Sequence, residues 1–179
     1  MLCRWPGVVV VCLCAAAWAE DPGDWPTWRG DASRTSCAAV ALPARLHLQW
    51  IRQLGKPSPA WPASQHKIRF DVSYEPVVAG KRIFVGSMVS DRVAAYDTEN
   101  GRELWRSYTD GPVRFAPLVW RDKVYAVSDD GMLYCLDAAT GRRRWVVRGG
   151  PDGRMVLGND RLVSAWPARG APVLRERGD

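Results

Sequence analysis

His47 and His66 are the only histidines among the 179 residues. A Ser/His/Asp nucleophilic set could be drawn only by choosing freely around them, so it has no weight. Metal chemistry is as thinly supplied: the five cysteines form no CxxC pair and no Cys/His cluster of zinc type. Cys3, Cys12 and Cys14 fall in an N-terminal apolar run, which leaves Cys37 and Cys135. Their spacing cannot establish the geometry a disulfide needs, and two unpaired small apolar residues are the simpler expectation. Asp129-Asp130-Gly131 offers carboxylates without further oxygen ligands at calcium-loop spacing, and it reads as a β-turn. Arg177-Gly178-Asp179 matches a cell-adhesion tripeptide, a string too short to carry meaning. No residue is assigned to catalysis, to a cofactor or to a metal.

The residues that do keep a fixed spacing are structural in type. Ala95-Tyr-Asp-Thr-Glu-Asn-Gly-Arg-Glu-Leu-Trp105 returns as Cys135-Leu-Asp-Ala-Ala-Thr-Gly-Arg-Arg-Arg-Trp145. Asp97 and Asp137, Gly101 and Gly141, and Trp105 and Trp145 each stand 40 residues apart. A period near 40 built from short strand-like runs predicts four-stranded antiparallel blades of a β-propeller, an all-β fold. Each Asp can accept bonds from turn N–H groups, and each Gly can take the positive φ that closes the turn. The Trp, eight residues after the Asp, suits a wedge between neighbouring blades, with its indole N–H on a carbonyl.

Around that motif the chain divides readily. Met1 to Ala19 reads as a secretory signal peptide: Arg4, an apolar run from Val8 to Ala17, and Ala17-Trp18-Ala19 before Glu20. The run is short for a membrane span. Residues 20–44 read as an extended arm anchored by Trp25 and Trp28, and residues 45–54, with Trp50, as the last strand of a blade whose other strands lie elsewhere. A proline-rich loop, Gly55 to Phe70, leads to a first blade over 72–109 and a second over 112–148. In both, middle strands such as Val124-Tyr-Ala-Val127 are apolar at successive positions, as expected of a sheet covered on both faces. The text after Val147 does not repeat the motif, and 171–179 reads as the start of a further blade. A closed ring needs about four to eight blades, so the expectation is part of a longer propeller. The formal charge of +6 comes from scattered arginines with no sustained basic helix or Lys-rich tail, which gives nucleic-acid binding little support.

The pattern A-x-D-x-x-x-G-x-x-x-W, complete at Ala95–Trp105 and with Cys135 replacing the Ala in the second copy, resembles the tryptophan-docking motif of PQQ-like propeller repeats. "DWPTWRGD" looks like the opening of exported members. The resemblance implies one of two uses. Quinoprotein dehydrogenases bind pyrroloquinoline quinone and Ca²⁺ and oxidise alcohols or sugars; their adjacent Cys-Cys disulfide has no counterpart here, so neither cofactor is expected in this chain unless missing blades supply the site. Other members, including the propeller of the outer-membrane β-barrel assembly machinery, are non-enzymatic scaffolds that bind partners through loops and sheet edges. This chain looks closer to the scaffolds: an exported, periplasmic or envelope-associated binding module with protein partners.

Overall fold

The computed structural model describes residues 21–67, 69–158 and 160–175; the leader expected over Met1–Ala19 and the terminal Arg177-Gly178-Asp179 lie outside them. All named elements are strands. β1 (Val77–Ala79), β2 (Arg82–Ser87), β3 (Arg92–Asp97) and β4 (Glu103–Tyr108) form one sheet, and β5 (Leu118–Trp120), β6 (Lys123–Val127), β7 (Met132–Asp137) and β8 (Arg143–Arg148) form another. Each is an antiparallel meander in chain order. The two sheets stand side by side as propeller blades, and one apolar core runs through both, from Val77, Phe84 and Trp105 to Val124, Tyr134 and Leu136. β3 is buried at Val93, Ala94, Ala95 and Tyr96 in succession, as a strand covered on two faces must be.

Turn chemistry sets the register. β1 meets β2, and β5 meets β6, across two-residue connections, with Gly80 at φ 58° and Arg121 at φ 54° supplying the left-handed position such hairpins require. The second blade has a shorter link between its middle strands, because the Ser128 N–H donates to the Met132 carbonyl and leaves only residues 129–131 in the turn. The same place in the first blade holds Met88 to Asp91, so the extra residue sits in a turn, where the ladder does not feel it.

A third hairpin follows, β9 (Met155–Gly158) with β10 (Arg161–Ser164), again paired across two residues. This corrects the expectation that a further blade begins near Ala171. The paired strands start at Met155, and residues 171–175 form no strand. The hairpin carries no repeat signature in its sequence, because the Asp-Gly-Trp motif marks third and fourth strands and not the first two.

One further segment differs from expectation. Residues 45–54 carry no strand, because no partner strand lies beside them among the described residues; they are held by side chains, chiefly Trp50, Arg52 and Leu54. The arm lies along the free edges of the first strands. Trp25 exchanges both backbone hydrogen bonds with Val78 of β1 at 2.8 Å, and the Pro26 carbonyl accepts from Val119 of β5 at 2.7 Å. Otherwise unpaired edge groups of both blades are thereby satisfied. Thr27 is buried behind this contact and Trp28 packs against the core.

Candidate functional site: the interblade docks and the Arg114 cluster

The turn between β3 and β4 and that between β7 and β8 are built alike. Asp97 Oδ1 accepts the N–H groups of Glu99 and Asn100, and Asp137 Oδ1 those of Ala139 and Thr140, all between 2.8 and 3.2 Å. The Gly101 N–H donates to the Asp97 carbonyl and Gly141 to that of Asp137, with φ at 69° and 72°. Both glycines are also floors. A Cβ on Gly101 would lie 2.6 Å from Cε3 of Trp50, and one on Gly141 would lie 2.4 Å from Cε3 of Trp105.

Each tryptophan therefore lies on the turn of the blade that follows it. Trp50 Nε1 donates to the Thr98 carbonyl at 2.9 Å, and Trp105 Nε1 to the Ala138 carbonyl at 3.1 Å. Trp105 is 8% exposed. A ring of its size buries about 200 Å², an upper bound of roughly 5 kcal/mol at 25 cal/mol/Å². Trp145 has no turn beneath it among the described residues and is 41% exposed, with the Tyr125 ring at a centroid distance of 5.9 Å. The structure thus places Trp50, Gly101 and Asp97 together, and Trp105, Gly141 and Asp137 together. Ala95 and Cys135 stand directly across the ladder from Trp105 and Trp145, each followed by a register shift, so a small residue there leaves room for the ring. Burial raises the Cys135 thiol pKa and keeps it protonated; Cys37 and Cys135 are both free.

Charge reinforces the second dock. Arg144 spans Asp122 at 2.5 Å and Asp137 at 2.6 Å, tying the β5–β6 turn to the β7–β8 turn. The Arg144 hydrogen bond, with help from Thr140, holds the Asp137 carboxyl down at about 2.

At the opposite ends of the strands lies a cluster that the spacing of residues gave no means of finding. Arg114, 3% exposed in its side chain, donates through Nε to Asp129 and through Nη1 to Asp71 and to the Ser58 carbonyl, each at 2.6 Å. Asp71 also accepts the Ala60 N–H at 2.7 Å, and Arg169 approaches Asp129 at 3.4 Å. One buried guanidinium therefore fastens the proline-rich loop to the second blade, and Arg169 ties the residues after β10 to the same Asp129. The sequence Asp129-Asp130-Gly131 forms a turn, closed by Gly131 N–H to the Ser128 carbonyl, and Asp130 takes the Tyr134 hydroxyl at 2.5 Å. Burial and that carboxylate push the Tyr134 pKa up. Among the described residues no three His, Cys, Asp or Glu side chains are grouped to hold a metal ion.

A quinohemoprotein alcohol dehydrogenase, ADH IIB of Pseudomonas putida, is 41% identical over a stretch covering 33% of this chain and 10% of that protein. Among solved structures, quinohemoprotein alcohol dehydrogenase ADHIIG from Pseudomonas putida HK5 aligns at 24% identity over 74% of this chain and 20% of its own, with a TM-score of 0.49. BamB from Moraxella catarrhalis aligns at 20% identity over 52% of this chain and 34% of its own, with a TM-score of 0.37. The chain thus spans about a tenth of the curated relative and a third or less of these solved structures. Residues 38–168 match the PQQ-repeat family PQQ_2, described as outer membrane protein assembly factor BamB, and with two meander blades and the start of a third the chain belongs to that family of β-propellers.

Proposed function

We propose that this chain is part of an exported PQQ-repeat propeller that serves as a non-catalytic binding or assembly scaffold at the cell envelope. The observation that carries the reading is the fate of its carboxylates. Asp97 and Asp137 are spent on turn N–H groups, with Arg144 on Asp137, while Asp71 and Asp129 are spent on Arg114. Acids so committed are poor candidates for base catalysis or for calcium. What is left open among the described residues is sheet: β8 is exposed along its length, and Met155, Val156 and Leu157 of β9 are exposed as well. Strand edges and apolar strand faces are surfaces that protein partners extend.

The second reading is a segment of a PQQ-dependent dehydrogenase, favoured by the 41% identity to ADH IIB. The described residues do not by themselves fit a calcium–quinone centre, since no three carboxylate, imidazole or thiol groups converge. Under that reading the ligands come from other blades, and this segment contributes wall and packing. A dye-reduction assay on the full-length protein, loaded with PQQ and Ca²⁺ and offered alcohols and sugars, separates the two. The scaffold reading expects no substrate-dependent reduction, together with co-purification of an envelope protein that is lost when the β8 face is made polar by Val147→Asp. Alcohol- or sugar-dependent reduction overturns it.

A further inference from the structure

Phe70 and Phe115 are the chain neighbours of Asp71 and Arg114, and they open onto a separate feature, a cavity of about 200 Å³. Three rings line it: Trp28 from the arm, and Phe70 and Phe115, which stack at a centroid distance of 5.2 Å with planes 9° apart. One half-buried carboxylate, Glu75, faces the same space and is oriented by the Ala116 N–H, which donates to Oε2 at 3.2 Å. Burial raises the Glu75 pKa, and the nearby charge of Arg34 opposes that rise. Aromatic faces carry negative potential, and together with a carboxylate they attract positive charge.

The molecule's own arginines already answer that potential. The guanidinium groups of Arg29 and Arg34 lie 4.8 and 4.7 Å from the Trp28 ring centre, and Arg34 lines the cavity. Arg34 is exposed, on a turn of the arm at φ 59°, so it can leave for water at small cost. We propose that this cavity is a binding site for a small organic ammonium group, primary or methylated, and that Arg34 is its displaceable internal occupant. The volume is below the ~300 Å³ at which drug-sized sites begin, which fits a compact head group. An anion would meet Glu75 at close range, and an uncharged apolar ligand would leave that carboxylate without a counter-charge. The proposal does not depend on whether the whole protein is a scaffold or a dehydrogenase.

The test is a titration of the full chain against choline and its uncharged isostere 3,3-dimethyl-1-butanol, followed by broadening and ring-current shift of the ligand methyl resonances. Choline should bind at least ~10-fold more tightly than the isostere. Arg34→Ala should tighten choline binding several-fold, and Glu75→Gln should weaken it about tenfold while leaving the thermal transition in place. If Trp28→Leu unfolds the arm, these two variants still decide the matter. Equal binding of choline and isostere shows a plain apolar hollow, and choline binding indifferent to both variants places it elsewhere; either result overturns the proposal, as does no binding even by Arg34→Ala. Vesicles of phosphatidylcholine against phosphatidylglycerol then distinguish the source. Choline-competed co-sedimentation with the former assigns a lipid head group, and its absence in a protein that binds free choline assigns a soluble amine.

Discussion

Replacing Gly141 by alanine should separate two penalties that glycine avoids at the interblade dock. The backbone there has φ 72°, a left-handed conformation that costs an L-residue about 1 kcal/mol. The added Cβ would also stand 2.4 Å from Cε3 and 2.5 Å from Cδ2 of Trp105, so the ring must retreat by on the order of 1 Å to regain ordinary contact. Forcing a methyl into a packed site costs about 1–3 kcal/mol, and straining the Trp105 bond to the Ala138 carbonyl adds about 1 kcal/mol. The expected total is about 3–5 kcal/mol. Gly80→Ala is the internal control. Gly80 has φ 58° but nothing within 4 Å of the added Cβ, so only the backbone cost of about 1 kcal/mol should appear. Urea unfolding with linear extrapolation measures both. In a Trp105→Ala background, itself destabilised by about 3 kcal/mol or more, the Gly141→Ala penalty should fall to that of Gly80→Ala. Equal costs for Gly141→Ala and Gly80→Ala in the parent chain would refute the docking geometry.

Acid should loosen the same turn in a defined window. Because the folded Asp137 pKa is depressed to about 2, its contribution is whole above the ordinary carboxylate range near 4 and is lost as pH falls through about 2. In Arg144→Gln, carboxyl NMR should show Asp137 titrating closer to the ordinary value; an unmoved titration would mean that Arg144 is not the cause. Arg114→Met should cost about 3–5 kcal/mol, because it leaves Asp71 buried without its cation and Asp129 with the longer Arg169 contact, and should hasten proteolysis between Gly55 and Asp71. A protease-resistant loop with an unchanged midpoint would show that the ion cluster is not the fastening.

The sequence exposed the docks far better than the Arg114 cluster, and the reason is repetition. Asp97 and Asp137, or Gly101 and Gly141, announce themselves because one local geometry is needed in every blade. Arg114 appears once, 43 residues from Asp71 and 15 from Asp129, and a single long-range ion pair leaves no periodic trace. The hairpin β9–β10 shows the same limit from the other side. Its residues are ordinary for first and second strands, but recognition by motif depends on features of the third and fourth. Residues 45–54 mark a different boundary: Trp50 was legible as the repeat's tryptophan, whereas strand structure is a property of a pair and could not be read from one member.

Trp50 reaches 48 residues ahead to Thr98, and Trp105 reaches 33 residues ahead to Ala138. Both contacts point from an earlier segment to a later blade, so during synthesis from the N-terminus neither ring is covered by the strand that carries it or by anything before it. An indole remains uncovered until the next Asp-to-Gly turn has emerged, and covering it uncovers the next in line, as Trp145 is uncovered beyond the second blade. Assembly of such a chain is a relay, in which about one docking ring at a time waits for its turn at the growing end however long the propeller becomes.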